Sequence, residues 1–333
     1  MQIAVVILNW NGEVLLERYL SNVVKYSQGV DIYLADNAST DGSVAFVQEH
    51  FPMIRIIQND RNGGFSKGYN DALKHVEADI FCLLNSDVEV SKDWLLPITE
   101  AFATYPKAAI MQPKILDLMQ KDRFEYAGAA GGFIDMLGYP FCRGRIFQCL
   151  EKDKGQFNDT TEIFWATGAC MFIRSKVYWE LGGFDEDYFA HQEEVDLCWR
   201  AKNVGHGIYY IGASVVYHLG GSTLSNMNPK KTYLNFRNSL FSITKNLPRR
   251  KAFLIIFFRL MLDGVAVVRF LAQFRFRHGW AVLRAHLSFY RHFPRIYRKR
   301  EKVNYLQNYY HIKSIVWAHF VNGIRIFNNL VKD

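Results

Sequence analysis

The stretch FCLLNSDVEVS, residues 81–91, joins an apolar run to a polar turn, and Asp87 is the first charged residue after that run. A strand with one solvent-exposed face would alternate polar and apolar residues. The run therefore predicts a strand buried on both faces, as in a parallel sheet. Open α/β sheets bind ligands just beyond such strand ends. For one aspartate alone a solvated loop is the better interpretation, so the surrounding sequence has to decide.

Working outward from this stretch, strand and helix patterns alternate in a βαβαβαβ order, which predicts a mostly parallel sheet with right-handed crossovers. The predicted strands are 3–8, 31–35, 54–58 and 80–84, and the predicted helices are 13–26, 39–51 (capped by Ser39 or Thr40) and 66–76. Residues 120–165 are rich in glycine and are predicted to be irregular. Further on, we predict strands at 169–175 and 208–218, a helix at 193–203 and helical structure from 230 to the end.

Charge is unevenly distributed along the 333 residues, which carry a formal net charge of +8. Residues 249–333 contain 17 basic residues (Lys and Arg) and 3 acidic residues (Asp and Glu). Residues 1–248 contain 23 basic and 29 acidic residues. A basic segment of this kind fits either nucleic acid or an anionic membrane surface. The five cysteines show neither zinc spacing nor a dense disulfide framework, which favours a reducing compartment. The first apolar run is too short for a signal peptide, so we expect a cytoplasmic protein.

Polar residues follow each of the first four predicted strands. They are Asn9 and Asn11, Asp36 and Asn37, Asn62 with Gly63 and Gly64, and Asn85 with Asp87. Because parallel strands end at one edge of a sheet, the four turns are expected to form one site. The sequence has no GxGxxG motif, which argues against a dinucleotide-dependent dehydrogenase.

Several blocks of the sequence, taken in order, resemble the family 2 glycosyltransferases, especially their rhamnosyltransferase-like branch. The blocks are VVILNWNG, LADNASTDGS, NGGFSKGYN, LLNSDVEV, ATGACMFIRS, GGFDEDYFAHQEEVDLCWR, VYHLGGS and YLNFRNSL. They run from residue 3 to about 245. The resemblance implies an α/β glycosyltransferase A-type fold and an enzyme that moves a sugar from a nucleotide-diphosphate donor with inversion of the anomeric centre.

The resemblance also implies a divalent metal cofactor, Mn²⁺ or Mg²⁺, at the donor diphosphate. Such ions take hard oxygen ligands, often only one or two carboxylates from the protein. Asp87 matches the metal-binding acid of the family, with Asn85 at the first acidic place of its motif, and Glu89 is a further candidate. His218 matches the late histidine of the family and is the second expected metal ligand; a histidine at a strand end can also be purely structural.

Donor contacts are expected at positions that match the family's blocks. Asp36 would accept a hydrogen bond from a pyrimidine base, which fits a UDP- or dTDP-sugar; alternatively it begins an Asx-turn. The other expected donor or cleft residues are Asn9, Asn11, Asn62, Gly64, Lys67, Asn70, Trp165, Thr167, Gly168 and Arg237 with Asn238. Lys67 could equally be an exposed helix lysine.

The catalytic base is expected in the segment HQEEVDLCWR, since one-step inversion needs a carboxylate to take the proton of the attacking hydroxyl. The resemblance places the base at Glu194, with Asp196 and Glu193 as the other candidates. Structural roles are also open to these residues, because acids suit a helix N-terminus and Asp196 can pair with Arg200 four residues later.

The basic segment begins with a stretch, 251–275, that is nearly apolar enough to span a membrane, but Arg259, Asp263 and Arg269 argue against a span. On a helical wheel, Lys251, Arg259, Asp263, Arg269 and Gln273 share about a third of the circumference. This predicts either an amphipathic helix in the plane of a membrane or a core helix with one polar stripe.

We therefore predict a catalytic domain over 1–248 and a basic, membrane-associating helical region over 249–333. The predicted enzyme is peripheral on the cytoplasmic face of the cell membrane, transfers a sugar (rhamnose is one candidate) to a glycan acceptor that is lipid-linked, and binds no nucleic acid. A soluble homodimer formed through the basic helices is an open alternative. The competing functions are a catalytically inactive scaffold, a nucleic-acid-binding protein and a nucleotidyltransferase, although the NWNGE turn lacks the basic residues that a nucleotidyltransferase would need.

Overall fold

A computed structural model describes residues 1–220 and 228–330 of the chain. The strands are β1 (Ile3–Asn9), β2 (Asp31–Asp36), β3 (Arg55–Gln58), β4 (Ile80–Asn85), β5 (Val88–Val90), β6 (Ala108–Asp117), β7 (Gly132–Ile134), β8 (Pro140–Cys142), β9 (Arg145–Ile146), β10 (Cys149–Leu150), β11 (Thr160–Glu162), β12 (Cys170–Arg174) and β13 (Gly207–His218). The helices are α1 (Glu13–Tyr26), α2 (Ser43–His50), α3 (Gly64–Ala72), α4 (Leu96–Thr104), α5 (Ser175–Glu180), α6 (Glu193–Asn203), α7 (Pro229–Asn246), α8 (Arg249–Ala272), α9 (Phe276–Arg298) and α10 (Ile315–Phe320).

The main sheet has the order β11-β13-β6-β12-β4-β1-β2-β3, with β5 paired to β13. Strands β4, β1, β2 and β3 are parallel, which confirms the predicted order of strands and crossovers. Beyond β4 the sheet is mixed, because β12 lies antiparallel between β4 and β6. The parallel half therefore brings the ends of β1, β2 and β4 to one edge.

Strand β4 is buried on both faces, as its continuous apolar run predicts. Phe81 and Leu83 belong to one apolar core, and Cys82 and Leu84 belong to a second core on the other side of the sheet. The burial of both sets fixes the strand at the centre of the domain and leaves its polar C-terminal end at the edge of the sheet.

Two local predictions need correction. Helix α2 begins at Ser43, with Gly42 as its N-cap and not Ser39 or Thr40, because those residues lie in the preceding turn. Residues 120–165, predicted to be irregular, contain a small antiparallel sheet of order β10-β9-β8-β7. Its strands are only two or three residues long, too short to leave an alternating pattern.

The basic region packs closely on the rest of the chain. The prediction of helical structure from 230 to the end holds for α7, α8 and α9, but residues 299–314 are not helical. Two apolar residues of this region, Ile312 and Ile315, share a small core with Phe141 and Ile146 of the small sheet. The side chain of Asn203 accepts a hydrogen bond from the backbone of Leu306. None of the helices in the described ranges is both long enough and apolar enough to cross a bilayer.

Two residues of the predicted polar stripe on helix α8, Arg259 and Asp263, face the interior of the protein. Arg259 is 2% exposed and Asp263 is fully buried, whereas Phe257 is 60% and Val265 66% exposed. The buried pair reaches the small sheet, where Arg259 donates to the carbonyl of Leu137 and Asp263 accepts from the hydroxyl of Tyr139. The apolar face of α8 is therefore left on the surface of the protein.

Candidate active site

The turns after β1 and β2 are joined by the side chains that the sequence places there. Asn9 pairs with Asp36 in register, and its Nδ2 donates to Oδ1 of Asp36 at 3.1 Å. The other carboxylate oxygen of Asp36 accepts from the backbone N–H of Ser39 at 2.9 Å. The turn expected as the alternative role of Asp36 is thus present. The backbone N–H of Thr40 donates to Asn11, so this second asparagine also ties the two turns together.

The turn after β3 joins the same edge through Asn62 and Asn37. Oδ1 of Asn62 accepts from the backbone N–H of Gly64 at 2.9 Å and from Nδ2 of Asn37 at 3.2 Å. Gly64 has a φ of +80°, and a Cβ there would lie 2.5 Å from the carbonyl oxygen of Phe189. Only glycine meets both conditions without distortion. The expected donor residues of the first three turns therefore lie together.

Asp87 and His218 meet at the ends of β4 and β13. Nε2 of His218 lies 3.2 Å from Oδ1 of Asp87, and Nδ1 lies 3.3 Å from Oε2 of Glu125. Nδ2 of Asn85 is 3.4 Å from the same Nε2 atom. Burial alone would lower the pKa of His218, but the two carboxylates raise it well above its usual value. Negative charge thus lies beside both ring nitrogens, and a metal cation at Nε2 would take the place of a proton there.

The pair fits a divalent cation through the chemistry of its donor atoms. The Oδ1 and Nε2 atoms already converge at 3.2 Å, and both are buried. Carboxylate oxygen and imidazole nitrogen suit Mn²⁺, and sites for sugar diphosphates need only one or two carboxylates from the protein. No group of three or more acidic, histidine or cysteine side chains in residues 1–220 and 228–330 is arranged to hold a metal ion. Glu89 pairs instead with Lys121.

Glu125 is a site residue that sequence reasoning missed. It lies in the segment FEYAGAA, within the region predicted to be irregular, and a lone glutamate there matches no motif. The structure places its Oε2 atom 3.3 Å from Nδ1 of His218, on the side of the ring opposite Asp87, where a carboxylate favours a ring that presents Nε2 to the site.

Glu193 and Glu194 begin helix α6, and their carboxyl groups differ from ordinary surface acids. The Oε2 atom of each is buried and has no hydrogen-bond partner among the described residues. Burial raises the pKa of Glu194 to about 7. Burial, and then the neighbouring charge of Glu194, raises the pKa of Glu193 well above its usual value. A carboxyl group with a pKa near 7 is suited to accept a proton at neutral pH.

Lys231 lies near enough to Glu194 and Glu125 for both charges to act on it. Burial lowers the pKa of Lys231, and the charges of Glu125 and Glu194 act in the opposite direction. Close to Glu194, Sγ of Cys198 accepts a hydrogen bond from the backbone N–H of Ala166. The segment with Trp165, Thr167 and Gly168 therefore borders the same region.

Asp196 has a different environment from the two glutamates. Its carboxylate accepts from Lys245 and Arg200 at 2.9 Å each, from Asn246 at 2.8 Å and from the hydroxyl of Tyr188 at 3.2 Å. Burial alone would raise the pKa of Asp196, but Lys245 and Arg200 hold it below its usual value. These contacts give Asp196 a structural role, so Glu194 and Glu193 are the better candidates for a base.

Several expected donor residues make contacts within the protein. Oδ1 of Asn70 accepts from the hydroxyl of Tyr178, and its Nδ2 donates to the carbonyl of Phe184. Lys67 pairs with Asp71 at 2.7 Å. Trp165 donates to the carbonyl of Phe133. These side chains are thus held by other residues of the protein, and their contacts with a donor stay predictions.

Arg237, expected near phosphate, contacts the backbone ahead of α6. Its guanidinium donates to the carbonyls of Asp187 and Tyr188, at 3.0 and 3.1 Å. The arginine thus holds the loop that precedes α6.

A mixed sheet with flanking helices and polar turns at the ends of β1, β2 and β4 is the glycosyltransferase A-type architecture. The model of the family described as "Glycosyl transferase family 2" matches residues 4–182, more than half of the chain. The chain therefore belongs to glycosyl transferase family 2 and is a glycosyltransferase. This confirms the resemblance drawn from the sequence blocks.

Relatives and solved structures agree with this assignment. The N-acetylglucosaminyl-diphospho-decaprenol L-rhamnosyltransferase of Mycobacterium tuberculosis is 27% identical over 228 residues, which cover 62% of this chain and 73% of that protein. A hexosyltransferase of low-salt glycan biosynthesis from Haloferax volcanii is 22% identical and covers 81% of this chain and 85% of its own.

Several solved structures share the fold, and two of them hold a nucleotide ligand and Mn²⁺. One is GalNAc-T7 with UDP, GalNAc and Mn²⁺, with a TM-score of 0.58 and 16% identity over 75% of this chain and 49% of that one. The other is a mannosyltransferase from Pyrobaculum calidifontis with GDP-Man and Mn²⁺, with a TM-score of 0.54 and 12% identity over 87% of each chain. At these identities the likeness shows the fold alone.

Proposed function

We propose that the protein is an inverting glycosyltransferase that moves a sugar from a nucleotide-diphosphate donor to a lipid-linked glycan acceptor in surface polysaccharide synthesis. The observation that carries the proposal is the pairing of a metal-compatible Asp87–His218 site with a carboxyl group, Glu194, whose pKa is raised to about 7. The name of the Mycobacterium tuberculosis relative, which specifies a diphospho-decaprenol acceptor, supports a lipid-linked substrate.

The reaction assigns separate tasks to the two ends of the site. Glu194 accepts the proton of the acceptor hydroxyl while that oxygen forms a bond to the anomeric carbon. The bond from that carbon to the diphosphate breaks, and the nucleoside diphosphate leaves with the electron pair. Asp87 and His218 would hold Mn²⁺ or Mg²⁺, which when bound supplies positive charge for the leaving diphosphate. Asp36, already oriented by Asn9, is the proposed acceptor for the imide N–H of a pyrimidine base.

The surface of the basic region supports attachment to an anionic membrane. Its large exposed apolar residues are Phe253, Leu254, Phe257, Phe258, Met261, Val265, Val268 and Leu271 on α8, then Phe274, Phe276, Trp280, Leu283, Leu287 and Tyr290 at and along α9, and Trp317, Phe320, Val321 and Ile326 near α10. Exposed arginines, including Arg269, Arg277 and Arg284, lie among them. Apolar and aromatic side chains interleaved with arginine suit the interface of an anionic bilayer. We propose peripheral attachment to the cytoplasmic face of the cell membrane, where a lipid-linked acceptor is presented.

The decisive experiment is a panel of nucleotide sugars offered with a polyprenyl-diphosphate N-acetylglucosamine acceptor, with and without Mn²⁺. Release of nucleoside diphosphate is measured. We expect release from a UDP- or dTDP-sugar only when both acceptor and metal are present. Binding of UDP and Mn²⁺ without turnover of any donor would instead identify an inactive scaffold. A salt-sensitive shift of DNA or RNA without nucleotide-sugar binding would favour the nucleic-acid alternative.

A further inference from the structure

The loop of residues 189–192, directly before helix α6, has an unusual backbone. Phe189, His191 and Gln192 have φ angles of +65°, +67° and +71°, and none of them is glycine. Residues with a side chain seldom adopt positive φ, because Cβ then crowds the neighbouring carbonyl oxygen. Three such residues within four positions persist only when contacts from outside the loop stabilise them.

Helix α7 supplies these contacts. Nδ2 of Asn238 donates to the carbonyls of Tyr188, Ala190 and His191, at 3.1, 3.0 and 2.7 Å. Nε of Arg237 donates to Oδ1 of Asn238 at 2.8 Å, which fixes the orientation of the amide. Asn238 is fully buried.

The loop lies between the two functional ends of the proposed site. On one side, the carbonyl of Phe189 accepts from the backbone N–H of Phe65, next to Gly64, at 2.8 Å. On the other side, Gln192 is the N-cap residue of α6 and is followed directly by Glu193 and Glu194. The backbone angles of the loop therefore set where the two carboxyl groups point.

We propose that Arg237 and Asn238 are positioning residues that hold the 189–192 loop, with its three positive φ angles, and so aim the carboxyl group of the base. This inference rests on the proposed function and goes beyond it. The phosphate contact expected for Arg237 stays a prediction beside this role. Aspartate cannot substitute for Asn238, because a carboxylate only accepts hydrogen bonds and would face three carbonyl oxygens.

The main test uses Asn238→Asp and Asn238→Ala in the full-length protein. A displacement of about 1 Å in a catalytic group can cost roughly a hundredfold in rate. We expect kcat to fall by about that factor, while the dissociation constant for UDP with Mn²⁺ changes less than about threefold, because the donor residues are untouched. Wild-type kcat in both folded variants would overturn the proposal.

Glycine substitutions in the loop provide a matched control. Gly at position 192 adopts positive φ without crowding, so Asn238→Ala with Gln192→Gly should recover several-fold in kcat over Asn238→Ala alone. The same change at Ala190, which does not have a positive φ, should recover nothing. Equal recovery by both glycines would overturn the proposal. Should Asn238→Ala fail to fold, Arg237→Ala serves as the second variant. It removes the hydrogen bonds to the carbonyls of Asp187 and Tyr188, directly before the loop.

A readout without turnover separates this inference from the proposed function. The side chain of Glu194 can be followed by carbon NMR titration of the full chain, with Glu194→Gln used to assign its signal. We expect a midpoint near 7 in the wild type and a lower midpoint in Asn238→Ala. If no donor is turned over but this midpoint moves, the positioning role stands and the proposed function fails. An unchanged midpoint together with unchanged kcat would contradict the positioning role.

Discussion

Nε2 of His218 lies 3.2 Å from Oδ1 of Asp87, although the two residues are 131 positions apart in the sequence. Oε2 of Glu125 lies 3.3 Å from the other nitrogen of the ring. The two donor atoms of the proposed metal site are thus brought together by the sheet and oriented by a third residue.

Replacement of Asp87 is expected to weaken metal binding directly. Asp87→Asn keeps the shape of the side chain but removes the charge, so the affinity for Mn²⁺ in the presence of UDP should fall at least about tenfold. Electron paramagnetic resonance of free Mn²⁺ measures this without turnover. The exposed Glu100 on α4 offers a control, since Glu100→Gln should bind as the wild type does. Unaltered Mn²⁺ affinity in Asp87→Asn would remove Asp87 from the metal site.

Activity should depend on the protonation of Glu194. Since burial raises its pKa to about 7, kcat/KM should decrease about tenfold for each pH unit below that value and level off above it. Glu194→Gln should lose at least about a hundredfold in kcat at pH 8 with little change in UDP binding, and Glu193→Gln should lose less. A wild-type rate for Glu194→Gln would assign the base elsewhere.

The same carboxyl group should make stability depend on pH. Its folded pKa of about 7 lies above the usual 4.5, so the folded state holds the extra proton between these values and loses stability as pH rises through them. Glu194→Gln removes this cost. Because part of the side chain reaches solvent, we expect it to be more stable than the wild type by about 1–2 kcal/mol at pH 8, with no gain at pH 4. Denaturant unfolding at both pH values measures the difference, and a gain independent of pH would contradict this explanation.

Asp196 should matter for folding more than for chemistry. Asp196→Asn leaves Lys245 and Arg200 buried without their shared carboxylate, which is expected to cost about 3–5 kcal/mol in the free energy of unfolding. The exposed pair of Lys152 and Asp122 is the matched comparison, and Asp122→Asn should leave stability almost unchanged. A fully stable Asp196→Asn protein that has lost turnover would instead make Asp196 the base.

Membrane attachment should depend on the outward face of α8. Phe257→Glu with Val265→Glu places charges on exposed positions, so the fold is retained, while binding to phosphatidylglycerol vesicles should drop more than about tenfold in sedimentation assays. Met53→Glu with Met119→Glu, at exposed sites outside the basic region, should bind normally. If the α8 variant binds vesicles normally but loses self-association, the apolar face is a dimer interface and the membrane proposal is wrong.

The sequence predicts the parallel half of the sheet and the gathering of Asn9, Asp36 and Asp87 at its edge, because hydrophobic periodicity and strand order determine both. The bounds of α1 and α6 coincide with the predicted ranges. The sequence does not predict Glu125, because this residue lies between β6 and β7 in a segment with no regular pattern and meets His218 only in the folded chain. The stripe on α8 shows which residues share a face, but only tertiary packing decides that Asp263 turns inward and Phe257 outward.

Lys299, next to the end of α9, pairs with both Asp185 and Asp187, and Lys245 of α7 pairs with Asp185 and Asp196. The basic region thus supplies counter-charges that the segment around the proposed base requires. Truncation at residue 248 would remove both Lys299 and Arg295, which pair with Asp187, and would leave Asp185 with Lys245. We therefore expect the shortened chain to be less stable than the full-length protein.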